Sequence, residues 1–235
     1  MKGQTVVLIG GSAGIGLETA RLARAQGAEV ILTGRDADRL KQAGEEVRAA
    51  RTEAFDATDV DRLEEFFGSL AAVDHVLVTA GGPYYGPLAD FDFEAAKRSL
   101  DQHLWLQIRL AQLAVGKVSP GGSLLFMGGT GARRPRPGLF FASAMTASSP
   151  ALVAGLALEI APVRVNLIAA GFVDTPLSAK LLGDQLDNRR EELRNTLPIR
   201  RVVGPEDVAA LAVHLMTNTA LTGATYDIDG GQQLL

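Results

Sequence analysis

Short β-branched or aliphatic runs alternate with longer stretches of helical character along the whole chain. Thr5–Ile9, Glu29–Thr33 and Val73–Thr79 are followed by Gly14–Gln26, Asp36–Ala50 and Phe91–Val118. Ser123–Met127 precedes Phe140–Ala161, Val163–Ile168 precedes Pro205–Thr217, and Ala224–Ile228 closes the series. Strands that are apolar at successive positions, rather than at alternate ones, are buried on both faces, as in a parallel sheet covered by helices on each side. The expectation is one doubly wound α/β domain over residues 1–235 with about seven strands, since 235 residues leave little room for a second full-sized domain.

Composition narrows the chemistry. With 47% hydrophobic and 21% charged residues the chain is an ordinary globular protein, which excludes disorder and fibrous repeats. A net charge of −4 provides no basic field for nucleic acid or an anionic membrane surface, so neither is an expected partner. The absence of cysteine removes disulfides, thiolate nucleophiles and Cys-ligated zinc, and fits a reducing, cytoplasmic setting. His75 and His214 have no carboxylates at ligand spacing, and no metal site is expected. The N-terminal segment MKGQTVVLIGG reads as a first strand rather than a targeting signal.

That first strand runs directly into Gly10-Gly11-Ser12-Ala13-Gly14-Ile15-Gly16 and then a helix. Small residues at such a turn let backbone N–H groups approach a pyrophosphate, and the helix adds its positive dipole end. Because the turn opens a doubly wound domain at its first strand, a nucleotide is the better account than an unliganded turn. The second strand ends Leu32-Thr33-Gly34-Arg35, where a carboxylate would ordinarily hold the ribose hydroxyls. Arg35 instead suits a ribose 2′-phosphate and can stack on adenine, which favours NADP(H) over NAD(H).

These residues, with others further along, make the chain resemble the short-chain dehydrogenase/reductase family, whose fold is of the Rossmann type, over nearly its whole length. Gly10, Gly14, Ile15 and Gly16 match the family's TGxxxGIG, with Ile9 in place of threonine. Asp56, followed by Ala57, stands at the acidic position beside adenine, and Val78-Thr79-Ala80-Gly81 stands where the family writes NNAG. Arg164-Val165-Asn166 matches RVN, and Ala170-Gly171-Phe172-Val173-Asp174-Thr175 matches PGxxxT. Gly204-Pro205-Glu206-Asp207-Val208-Ala209, Leu221-Thr222-Gly223 and Asp229-Gly230-Gly231 complete the C-terminal signature. The resemblance implies that Gly10, Ser12, Gly14, Ile15, Gly16, Arg35, Asp56, Ala57, Ala80, Gly81, Gly171, Val173 and Thr175 hold the cofactor.

It also implies a serine, a tyrosine and a lysine that polarise a carbonyl and supply its proton. Here those positions fall on Gly128, Ala142 and Thr146, and a one-residue shift gives only Phe141 and Met145. The only tyrosines are Tyr84, Tyr85 and Tyr226, and no lysine lies between Lys117 and Lys180. Catalysis by the family pattern therefore has no residues to carry it. Substitute proton donors are His103, aligned with the family's asparagine, and Tyr84 or Tyr85 on the loop after a central strand.

Three readings follow: an NADP(H)-dependent oxidoreductase acting on a small carbonyl or alcohol with a non-standard donor, an inactive NADP(H) sensor or structural subunit, and a scaffold with a vestigial site. The segment Phe140–Ala161 carries one charge, Glu159, so it must be covered on all sides, and the family's assembly implies a homodimer or homotetramer. Pro150 is expected to kink it. Residues 176–204 read as a lid or as a solvated surface helix, and Arg133-Arg134-Pro135-Arg136 as a solvated loop or a greeting for an anionic substrate.

Overall fold

The computed structural model describes residues 1–235. The strands β1 (Thr5–Ile9), β2 (Glu29–Gly34), β3 (Arg51–Ala54), β4 (Val73–Val78), β5 (Val118–Gly129), β6 (Arg164–Ala170) and β7 (Thr225–Ile228) form one sheet in the order β3-β2-β1-β4-β5-β6-β7. Every pairing is parallel. The order reverses between β1 and β4, and that switch point is where a doubly wound sheet opens a crevice at its carboxyl edge.

Neighbouring strand residues point to opposite faces, and each face finds its own helices. Val7, Ile9, Val76, Val78, Leu124 and Phe126 pack with Leu63, Phe66 and Phe67 of α3 (Val60–Ser69) and Leu110 and Ala114 of α5 (Leu106–Ala114). Val6, Leu8, Val30, Leu32 and Leu125 pack on the other side. Their partners are Ala20 and Ala23 of α1 (Gly14–Ala25), Leu40 and Val47 of α2 (Ala37–Val47), and Ala212 and Leu215 of α9 (Pro205–Thr217). Burial on both faces is what the continuous apolar runs require.

Three elements differ from the sequence expectation. β3 and α3 carry no apolar run of the expected kind: RTEA is an edge strand of alternating partial exposure, and α3 shows only its Leu63, Phe66, Phe67 stripe. The expected helix over 91–118 is two, α4 (Phe93–Leu100) and α5, joined by a π turn over Asp101–Trp105. As expected from the sequence, Pro150 lies inside one long helix, α6 (Phe140–Glu159). By length and composition alone α6 could cross a membrane, but here it packs on the sheet through the buried Val153 and leaves much of its surface exposed.

Two polar side chains inside this frame are structural. The Arg164 guanidinium donates to the carbonyls of Leu215 (2.7 Å), Met216 (2.7 Å) and Leu221 (3.1 Å), so it caps the end of α9 without any acidic partner. Asn166 donates to Leu221 O (2.9 Å) and accepts from Ala224 N–H (3.2 Å), tying β6 to the segment that leads into β7. His75 on β4 is buried, with Nδ1 2.9 Å from Ser123 Oγ and Nε2 unpartnered. Burial pushes its pKa down to about 4. The unfolded chain therefore takes up a proton that the folded chain refuses. Stability should be complete above about pH 6.5, fall by roughly 3 kcal/mol as the pH drops towards 4, and then level off. Urea unfolding at several pH values should show this slope in the wild type and lose most of it in His75→Gln; an identical slope in the variant would contradict the assignment.

Candidate active site

The first wall of the crevice is built by the turn after β1. Gly10 and Gly11 donate to the carbonyl of Thr33 (3.2 and 2.8 Å), which bends the chain away from the strand. Gly10 has φ +102°, and a Cβ there would lie 2.7 Å from Ala80 N and from Thr79 Oγ1. A Cβ on Gly16 would lie 2.3 Å from Gly10 O, so only glycine lets α1 approach the turn. Thr79 Oγ1 donates to Gly10 O (2.9 Å), and the N–H groups of Thr79 and Ala80 both donate to Ile9 O. The end of β4 is thus stitched to the end of β1. The N-cap of α1, Ala13, makes no side-chain cap, and the first turn has no acidic residue, which leaves its amides open to an anion.

At the far end of the turn, a Cβ on Gly34 would stand 3.0 Å from Ser12 Oγ, leaving little room for an acidic side chain at that position. Arg35 follows, 70% exposed, with Nη1 3.7 Å from Asp56 Oδ2. Desolvation would raise the Asp56 pKa, but hydrogen bonds from Thr58 N–H (2.9 Å) and Oγ1 (2.7 Å), with Arg35 nearby, outweigh it and leave the carboxyl below its usual range. Arg35, Asp56 and Ala57 lie just beyond the carboxyl ends of β2 and β3, outside the main cavity.

That cavity, of about 560 Å³, runs along the carboxyl ends of β1, β4, β5 and β6. It is lined by Gly10, Gly14, Ile15, Ala80, Gly81, Gly171, Val173 and Thr175 from the expected cofactor set. Gly128, Ala142 and Thr146 also line it, as does Met145 of the register shifted by one residue, whereas Phe141 does not. Thr146 Oγ1 is spent on Ser143 O (3.1 Å). No tyrosine or lysine stands on α6.

The substitute donors are unequal. Tyr84 accepts a hydrogen bond from Asp92 N–H (2.8 Å) and packs edge-on to Phe91 and Phe141, which makes it a rim-packing residue. Tyr85 is 52% exposed, and desolvation of its hydroxyl end pushes its pKa up, the reverse of what an activated phenol needs. His103 lies in the π turn and faces the cavity, with Nδ1 2.8 Å from Ser99 O. That contact places a proton on Nδ1, so the neutral ring presents the Nε2 lone pair for other partners.

Several residues of the site carried no sequence signal. The π turn widens the helix so that Gln102 and His103 line the cavity, with Gln102 Oε1 accepting from Gly82 N–H (3.1 Å). Gln107, Arg189, Gln232 and Gln233 line it as well, and so do Arg134 and Arg136 of the basic run singled out by the sequence. Residues 176–204 hold two helices, α7 (Pro176–Leu182) and α8 (Leu186–Thr196), and Leu177, Leu181 and Arg189 from them cover one side of the cavity. Thr175 and Ser178 form a capping box at the start of α7, and Asp174 receives two 2.8 Å hydrogen bonds from Arg190. No three His, Asp or Glu side chains cluster closely enough to hold a metal ion.

Comparison with known proteins agrees with this geometry. Residues 10–233 match the family model described as Enoyl-(Acyl carrier protein) reductase. The chain is 31% identical to dehydrogenase/reductase SDR family member 4 of Sus scrofa, covering 93% of this chain and 83% of that protein. It is 28% identical to short-chain dehydrogenase/reductase malC of Malbranchea aurantiaca over 100% of this chain and 96% of the relative. A small-chain dehydrogenase solved in complex with NADPH superposes with a TM-score of 0.86 at 27% identity, each chain covered in full. Sheet order, glycine turn and C-terminal signature coincide with matches along nearly the whole chain, and the protein belongs to the short-chain dehydrogenase/reductase family of oxidoreductases.

Proposed function

We propose that the chain binds NADP(H) in preference to NAD(H) and interconverts a small carbonyl compound and its alcohol, with His103 handling the proton. The observation that carries this reading is the Gly10–Gly16 turn. It leaves backbone amides uncapped at the start of α1, and glycine at 10 and 16 lets the turn pack against Thr79, Ala80 and the head of that helix. The NADPH complex of the structural neighbour supports a nicotinamide cofactor. Arg35 supports the phosphorylated form, because its guanidinium is largely exposed and only loosely paired with Asp56. Ala80, Gly81, Gly171, Val173 and Thr175 would line the rest of the cofactor's path. When bound, the cofactor supplies or accepts the hydride.

The chain's own part is the proton. His103 Nε2 takes a proton from an alcohol when the ring is neutral and gives one to a carbonyl oxygen when the ring is doubly protonated. Leu177, Leu181 and Arg189 of the segment 176–204 shield one side of the same space. A second reading, an NADP(H)-binding sensor or structural subunit without turnover, draws on the small side chains of Gly128, Ala142 and Thr146, which offer the cleft no acid and no cation. We propose also that a second copy covers the exposed apolar face of α6, where Leu158 is 84% exposed, giving a homodimer or homotetramer. Sedimentation should return a multiple of the chain mass, and a monomer at micromolar concentration would refute it.

Fluorescence titration should give tighter binding of NADPH than of NADH, with Arg35→Ala weakening NADPH about tenfold and leaving NADH unchanged. Equal affinity for both cofactors in the wild type would remove the NADP(H) preference. In a panel of ketones and aldehydes, His103→Asn should lower turnover by about 10²–10⁴-fold at unchanged NADPH affinity. An unaltered rate would reject His103 as the donor, and binding without any turnover would select the sensor reading.

A further inference from the structure

The cavity wall bears three arginines, Arg134, Arg136 and Arg189, and no Asp, Glu or Lys. Arg189 on α8 is paired with Glu192 at 2.7 Å. Arg133 turns away from the cavity and pairs with Asp227. Its neighbour Arg134 makes no ion pair, and its Nη1 is buried without any hydrogen-bond partner. A desolvated guanidinium N–H with nothing to donate to is an unfavourable arrangement that a bound oxyanion would satisfy in a charge-assisted bond.

The cofactor's phosphates do not account for it. Arg134 lies on the segment after β5, whereas the glycine turn follows β1, with β4 between them. At a strand spacing of about 4.8 Å, the two sites are separated by roughly 10 Å across the sheet. A second unsatisfied group marks the same region. Gln107 is 4% exposed and lines the cavity, its Nε2 is 3.5 Å from Met127 O, and its Oε1 has no partner. Leu139, Met145 and Leu177 add apolar surface to the same cavity.

We propose that the substrate of this site is an anion: an apolar carbonyl compound carrying a carboxylate or phosphate monoester held by Arg134. Gln107 Oε1 accepts a hydrogen bond from a substrate hydroxyl or N–H. The proposal rests on the reading of this cleft as the reaction site and names the substrate class for it. The test is calorimetric titration of benzoylpropionate, its methyl ester and phenyl phosphate into the bare chain and into NADPH-saturated protein. The acid should bind about tenfold or more tightly than the ester, and Arg134→Gln should abolish that preference. Thermal stability should not fall in the variant, because Arg134 Nη1 has no native hydrogen bond to lose and its removal relieves a buried unpaired donor, and NADPH affinity should be unchanged. Tighter binding of phenyl phosphate than of the acid would assign the oxyanion to a phosphate ester. Equal binding of acid and ester, binding of neither anion, or a preference that survives Arg134→Gln would overturn the proposal. Failure of NADPH itself to bind appears in a separate titration and would overturn the cofactor reading, while the bare-chain titration still decides the anion site.

Discussion

The contact between the Gly10–Gly16 turn and the end of β4 is the constraint from which the rest of the site follows. Gly10 O accepts the hydroxyl of Thr79, and any Cβ on Gly10 or Gly16 would run into the backbone or into Thr79. Two strand ends and a helix start are therefore drawn together at the switch point of the sheet. Amides at the head of α1 face the crevice as a consequence, and a pyrophosphate is the ligand their charge and spacing suit. The same contact fixes where β5 and β6 deliver Gly128, Gly129 and Gly171 relative to the turn.

Against this cofactor end, the reaction end is chemically unusual. Ala142 and Thr146 stand one helical turn apart on the cavity side of α6 and offer neither a phenol nor an ammonium group. The titratable groups that do reach the cavity are arginines, tyrosines and one histidine, and His103 owes its place to a π turn. An extra residue per turn costs regular hydrogen bonding and is commonly kept where a side chain must be aimed. Of these, His103 comes from the helix pair after β4 and Arg134 from the segment after β5, the two groups proposed for proton transfer and for substrate recognition.

Much of the fold was legible because parallel strands buried on both faces are apolar at consecutive positions, as in residues 6–9 of β1, 76–78 of β4 and 167–170 of β6. β3 escaped because an edge strand has one free side and RTEA alternates in exposure. The glycine turn was legible because close backbone approach demands glycine at defined spacing. Arg35 and Asp56 could be named from the sequence, but not the 3.7 Å pairing between them. The orientation of Arg134 towards the cavity and of Arg133 towards Asp227 is invisible in a run of basic residues, since it depends on the path of a loop between β5 and α6. Gln107 was equally hidden: an uncharged side chain on an apolar helix becomes notable only when its amide oxygen is found buried and unpartnered.

The central claim is that this crevice keeps a dinucleotide cradle while its proton source has moved off α6. A crystal structure of the protein with NADPH tests it most directly. The pyrophosphate should lie against the amides of residues 10–16, the 2′-phosphate at Arg35, and the nicotinamide beside Gly128 and within reach of His103. Cofactor density elsewhere, or a nicotinamide turned away from His103, would contradict it.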